Sequence, residues 1–311
     1  MKSAEYNVHA KDSKIGLSLE KNSWLPLFVI EALTALFYFP SLWYPFQFDD
    51  VAHVTKHFAI RHDNPLMRWW YNRRWLGDCI NRVNFRIGEF NPVAYRVTNV
   101  LIHMATGVLV YYLVLMMCSS LERSFVHRYR HFIAFCTTGL FLLHPLQTQA
   151  VSYVIQARIE GVASFFILLN LFLFIRYAQS KTLFARSTTF GLLAITTLLS
   201  CGTKEIFVLA PVLMALVDFT FLSRGSIVTM IKQRGLFYLV YGVFFAALVG
   251  WYILDFRFFP AGGKAAGFQA NLGELLSNEN NLGNVLTDDP NIRITPWAFF
   301  ISQFRAVAHY F

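Results

Sequence analysis

The sequence predicts an all-α integral membrane protein: a multi-span helical bundle with an interfacial helix in its first outer loop. Three observations predict it. Of 311 residues, 56% are hydrophobic and 14% charged, with 32 Phe, whereas soluble domains carry roughly a quarter charged residues. Apolar runs approaching the ~20 residues that cross hydrocarbon recur along the chain. Basic residues gather in alternate short loops, the pattern that sets membrane orientation.

Residues 1–24 read as a polar cytoplasmic tail carrying Lys2, Lys11, Lys14 and Lys21. It has no apolar stretch like that of a cleaved signal peptide, so the first span is expected to be retained. That span covers 25–45 and contains Glu31, an acid that is either functional or close to the head groups. A long outer loop, 46–95, follows. In it Leu76, Ile80, Val83 and Ile87 recur at the spacing of one helical face, behind Trp69, Trp70 and Trp75, residues that favour the interface. The expected element is a helix lying on the bilayer, apolar side down. Its arginines, with Arg61, Arg68, Arg82 and Arg86 read as head-group contacts, would face lipid heads or water.

Span two is expected over 97–117, with His103 as a packing residue. A short span three starts near 131 and is stopped by His144-Pro145. Span four covers 161–175, after Gln156-Ala157-Arg158-Ile159-Glu160. Span five, 188–199, leads into Ser200-Cys201-Gly202-Thr203-Lys204-Glu205. Spans six and seven cover 206–222 and 236–254. A polar outer loop, 255–295, precedes a last apolar run, 297–311, on which the chain stops. Residues 25–311 thus read as one transmembrane domain of about eight spans, expected to be truncated at its C-terminal end.

The net charge of +9 suits anionic lipid heads. No basic-aromatic module or zinc spacing points to nucleic acid. Cys79, Cys118, Cys136 and Cys201 show neither CxxC spacing nor a metal pattern, which argues against a disulfide framework. The tail, Arg123-Arg128-Arg130, Arg176-Lys181-Arg186 and Arg224-Lys232-Arg234 fall on one face if the spans alternate, and that face is cytoplasmic by the positive-inside rule. Asp49, Asp50, His144, Arg158, Glu160, Lys204 and Glu205 then share the outer face, beside helix ends. Asp49-Asp50 alone reads equally as a solvated pair or a helix cap. Together with the cations it suits transfer chemistry: a carboxylate deprotonates a hydroxyl, while Arg and Lys hold a phosphate leaving group. Adjacent helical residues point about 100° apart, so one acid is the expected base. The other orients an acceptor, holds a cation or caps a helix.

Several segments carry a resemblance in order and spacing. They are Phe48-Asp49-Asp50, Asn72-Arg73, Asn84-Phe85-Arg86-Ile87-Gly88 with Asn91-Pro92, Leu143-His144-Pro145-Leu146-Gln147-Thr148-Gln149-Ala150-Val151, Arg158-Ile159-Glu160, Lys204-Glu205, and Pro211 to Asp218. Over roughly residues 25–311 the chain resembles the membrane half of the transmembrane and tetratricopeptide-repeat O-mannosyltransferases and their bacterial relatives, within the GT-C glycosyltransferases. The resemblance implies a polyprenyl- or dolichyl-phosphate sugar as donor and inverting transfer of a hexose to a hydroxyl of a protein or glycan. It implies a multi-pass protein of the bacterial inner membrane or the endoplasmic reticulum, contacting membrane lipids. It makes Asp49 the base with Asp50 beside it, and sets Arg73, Arg74, Arg158 and Lys204 near the donor, with His144, Glu160 and Glu205 as supporting polar groups. No cofactor is required; a divalent cation is allowed, though two carboxylates without a third ligand make a weak site. Arg74 departs from the family's Pro at that position, and no 34-residue repeat follows. A transporter or flippase of lipid-linked substrates, or a non-catalytic truncated relative, would share much of this inventory.

Overall fold

The computed structural model describes residues 24–47, 49–55, 74–121 and 125–258. The tail, Arg61, Arg68, Arg73, Trp69, Trp70, the 255–295 loop beyond 258 and the last apolar run lie outside the described residues. The chain divides into two compact units, Met1–Ala246 and Ala247–Phe311. The described part of the second is the last turns of one helix, and everything below concerns the first.

Among the described residues every regular element is helical. The α-helices are α1 (Trp24–Tyr38), α2 (Trp75–Gly88), α3 (Pro92–Ser119), α4 (Phe125–Arg128), α5 (Arg130–Leu143), α6 (Gln147–Ser152), α7 (Val154–Gln156), α8 (Val162–Gln179), α9 (Leu183–Cys201), α10 (Ala210–Val217) and α11 (Ile227–Phe258). Six runs are long and apolar enough to cross a membrane: Leu25–Trp43, Pro92–Ser119, Val154–Gln179, Leu183–Cys201, Glu205–Leu222 and Ile227–Tyr252. Arg130–Leu143, where a short span three was expected, is a shorter apolar helix, and the expected eighth run falls outside the described residues. The all-helical multi-span bundle is therefore the observed architecture.

Local chemistry sets the helix ends. Asn91 caps α3 through its side-chain oxygen, which accepts from the Val93 N–H at 3.0 Å, and Pro92 takes the first helical position. Thr182 caps α9 through the Ala185 N–H at 3.2 Å. The His144-Pro145 pair ends α5, because the residue before proline is pushed out of the helical region.

Helix α3 is the hub: α1, α2, α5 and α8 pack on it, and α9 and α10 pack on α8. One core joins Leu171 and Phe174 of α8 to Leu193 of α9, Met214 of α10 and Phe237 of α11. At Gly107 the α3 backbone approaches α5 so closely that a Cβ would sit within 3 Å of the Leu142 side chain, the use small residues have between membrane helices.

Two expectations are corrected. Helix α11 starts at Ile227, not 236, so Lys232 and Arg234 lie within it. Arg234 is buried and grips Asp218 through Nε and Nη2, both at 2.6 Å, with Tyr238 and Ser223 donating to the same carboxylate at 2.7 Å. A fully hydrogen-bonded pair answers the cost of burying both charges, and Arg234 is no head-group cation. The helix expected in the first loop is α2, with Val83, Arg86 and Ile87 exposed, but Arg82 is buried with Gly77, Asn81 and Asn84. Thr98 of α3 donates to Asn84 at 2.7 Å on that side. Arg82 therefore faces protein, not head groups or water. Glu31, which the sequence left as functional or close to the head groups, is buried within α1, and neither carboxylate oxygen has a hydrogen-bond partner among the described residues. His103 is the packing residue expected, with its Nε2 on the Leu142 carbonyl at 3.0 Å and its ring edge-on to Tyr38.

Candidate functional site

The chain leaves the first span under tight control. Arg96, near the start of α3, is buried and donates to three carbonyls of the exit: Ser41 at 3.0 Å, Tyr44 at 2.8 Å and Pro45 at 2.9 Å. Phe46 stacks edge-on against Tyr95. These contacts set where Asp49 and Asp50 emerge.

The two acids then part. Asp50 is fully buried, and its carboxylate accepts from the N–H groups of Ile155 at 2.9 Å and Val154 at 3.2 Å. It caps a helix, as one reading of the pair allowed, but the helix lies 100 residues downstream. Burial pushes its pKa above the ordinary carboxylate range, against the two backbone N–H groups and Arg96, which favour the charged form. Asp49 is exposed, and its carboxylate has no hydrogen-bond or ion-pair partner among the described residues.

The helix that Asp50 caps carries the next groups. Residues Ala157–Gly161 form a π-turn between α7 and α8, a distortion frequent at functional sites. Side chains two apart on an α-helix point about 200° apart. Here Arg158 and Glu160 line one cavity. Asn99 of α3 holds this region by donating to the carbonyls of Val151 at 3.0 Å and Tyr153 at 3.4 Å.

The third wall joins α2 to the turn after α9. The Leu76 N–H donates to the Gly202 carbonyl at 2.9 Å. The Trp75 ring lies so close over Gly202 that a Cβ there would collide with it. Gly77 similarly lets α2 approach the Arg158 carbonyl. Three ion pairs span these elements: Asp78 to Arg158 at 2.8 Å, Glu160 to Lys204 at 2.6 Å, and Glu205 to Arg74 at 3.6 Å.

Together the three walls enclose a cavity of about 400 Å³. Three carboxylates (Asp49, Asp78, Glu160) and three cations (Arg74, Arg158, Lys204) line it, with His53 and Gln156. The cations are held by carboxylates yet keep donors in hand. Arg158 binds Asp78 through Nη1, while its buried Nε–H has no partner. Lys204 has three donors, and Glu160 takes one. An unpaired buried guanidinium N–H calls for an acceptor, and a phosphate oxygen suits one. No group of three or more potential metal ligands occurs among the described residues, and the four cysteines are free thiols.

Of the residues singled out from sequence, Asp49, Arg74, Arg158, Glu160 and Lys204 meet at this cavity. Glu205 touches it through Arg74, and Asp50 lies behind the wall. His144 does not line it. Its Nδ1 accepts from the Leu146 N–H at 3.2 Å and stabilises its own turn, the ordinary role of a helix stop. Arg73 lies outside the described residues. Sequence reasoning missed His53, Asp78 and Gln156. His53 follows Asp49 by four residues, one helical turn, and Asp78 is the acid set four residues from both Arg74 and Arg82. Those spacings were the available signals.

Fold and cavity define the class: a polytopic helical membrane protein with a charged cavity built by the segment after its first span, the Arg158 π-turn and the Lys204 turn. Mouse (Mus musculus) protein O-mannosyl-transferase TMTC3 is 27% identical over 168 residues, which are 49% of this chain and 17% of that relative. The match thus spans a small part of the relative's length. No protein-family profile matches the chain, and no solved structure matches it.

Proposed function

We propose that the chain is a glycosyltransferase of the outer or lumenal membrane face. It moves a hexose from a polyprenyl- or dolichyl-phosphate sugar to a hydroxyl of a protein or glycan, with inversion. The observation that carries this reading is the convergence of Arg74, Arg158 and Lys204 on one cavity with the exposed carboxylate of Asp49. The cations suit a phosphate and the acid is an accessible base. The similarity to the mouse O-mannosyl-transferase supports a glycosyl transfer and, by that protein's name, mannose as the sugar.

In this reading the acceptor hydroxyl gives its proton to Asp49. The freed electron pair bonds the acceptor oxygen to the anomeric carbon. The bond from that carbon to the phosphate oxygen breaks, and its electrons leave with the lipid phosphate. Arg158, Lys204 and Arg74 balance the charge the phosphate gains. Attack opposite the leaving oxygen inverts the anomeric centre. The six ionised side chains lining the cavity balance one another, so a donor with one negative charge adds the least uncompensated charge. Loop charge supports this face: Arg128 and Arg130, Arg176, Lys181 and Arg186, and Arg224 lie at or beside the helix ends away from the cavity, with Lys232 in the first turns of α11.

The test supplies membranes containing the full chain with labelled polyprenyl-phosphate mannose, then other hexoses, with Asp49→Asn alongside. Wild type should move label into protein, glycan or lipid. The variant should fall by roughly 10²–10⁴ with unchanged elution and apparent Tm. Retained turnover in Asp49→Asn would refute the base. Labelled lipid crossing the bilayer without a new glycosidic bond would establish the transporter instead.

A further inference from the structure

A second cavity, of about 180 Å³, adjoins the charged one, and Glu160 lines both. Their chemistries differ. The second is lined by Asn99, His103, Thr106, Gln147 and Ser164, with apolar walls such as Ile102 and Phe141, and holds no Lys or Arg. Neutral amides and hydroxyls in an apolar frame orient a neutral polar ligand, not a phosphate.

The lining keeps hydrogen-bonding capacity in reserve. Asn99 uses Nδ2 on two carbonyls and retains Oδ1. His103 uses Nε2 and retains Nδ1. The Gln147 and Ser164 side chains make no hydrogen bond among the described residues. Glu160 gives Oε1 to Lys204 and retains Oε2. The volume equals about six waters at ~30 Å³ each, comparable to one hexopyranose with its hydroxyls.

We propose that this second cavity is the subsite for the pyranose ring of the donor sugar. Gln147 and Ser164 read its hydroxyls, and Glu160 stands between ring and phosphate. The inference rests on the glycosyltransferase reading and deepens it. In an inverting displacement the acceptor and leaving oxygens lie on one line through the anomeric carbon. Both oxygens belong near the charged groups of the first cavity, so the ring must project to the side. The Glu160 wall is where a side cavity opens.

Gly161 allows a direct test. A Cβ added there meets only Ala157 Cβ at 3.8 Å and Ile102 Cγ2 at 3.9 Å, ordinary contacts, and Gly161 lines the second cavity. Gly161→Leu should therefore fill it. The full chain in lipid nanodiscs would be titrated with sugar-free polyprenyl phosphate and with polyprenyl-phosphate mannose. Wild type should bind both, the mannosyl lipid more tightly. Gly161→Leu should keep wild-type affinity for the sugar-free lipid and lose at least about tenfold for the mannosyl lipid. Gln147→Ala should lose up to about tenfold on the same arm, the worth of one hydrogen bond, and Gly161→Ala should stay close to wild type. If Gly161→Leu does not fold, the Gln147→Ala arm decides. Equal losses for both lipids, or none, would overturn the subsite and leave the charged cavity's reading intact. An effect confined to the acceptor's KM would overturn the donor assignment. Wild type binding neither lipid would remove the reading and the inference together.

Discussion

Replacing Asp78 by alanine tests how the cavity is held together. The Asp78–Arg158 pair is short, at 2.8 Å, and its side chains are only 15% and 8% exposed. Truncating one partner of a buried pair costs about 3–5 kcal/mol, because the other charge stays buried alone. Arg158 borders a cavity of about 400 Å³, where water can reach the orphaned guanidinium. Hydration there brings the cost to the bottom of that range or just below it, about 2–3 kcal/mol. At roughly 2–4 °C per kcal/mol for a domain of this size, the apparent Tm should fall by about 4–12 °C. The assay is thermal unfolding of the purified chain in detergent, followed by intrinsic fluorescence, for Asp78→Ala, Arg158→Met and the double variant. The two changes should be coupled by at least ~1 kcal/mol, with the double variant more stable than the sum of the singles predicts. A shift under ~2 °C, or strict additivity, would refute the argument that this pair pins the interfacial helix to the π-turn.

Three further outcomes follow from buried groups. Asp50 has its pKa raised by burial. Its stabilising contribution is therefore complete below the unfolded value near ~4 and is lost as pH rises through the folded value. Wild-type apparent Tm should decline over that window more steeply than that of Asp50→Asn, and parallel profiles would contradict this. Glu31 buries two unbonded carboxylate oxygens, so Glu31→Leu should stabilise the bundle by about 1–3 kcal/mol, the cost of an unsatisfied buried group. A lower apparent Tm would show that the acid has a partner in the membrane. Gly107→Val should cost about 1–3 kcal/mol through overpacking, since its Cβ would fall within 3 Å of Leu142. An unchanged melting curve would mean that α3 and α5 part freely.

Much of the architecture was legible because hydrocarbon imposes a length and a polarity on every element that crosses it. The apolar runs located the six candidate spans and the shorter apolar helix α5, and the Leu76-Ile80-Val83-Ile87 repeat located α2. Boundaries were less legible. Polar residues inside α11 looked like a loop, because a sequence does not reveal that Arg234 has Asp218 to bind. Arg82 was misplaced for the same reason: periodicity identifies a face, and only packing shows which of its polar neighbours are covered by protein.

The site divides along the same line. The sequence by itself determined that Asp49, Arg74, Arg158, Glu160 and Lys204 lie near helix ends, because charges avoid the hydrocarbon interior. Only the tertiary structure decided which acid is free. Asp49 and Asp50 are the same residue type in adjacent positions, and local chemistry cannot tell them apart. A backbone N–H pair 100 residues away takes Asp50 as a cap and leaves Asp49 in the cavity. The pairing of Asp78 with Arg158, and the second cavity behind Glu160, also arise from contacts between distant segments. Such contacts depend on how helices pack against one another, which the periodicity of a single helix does not encode.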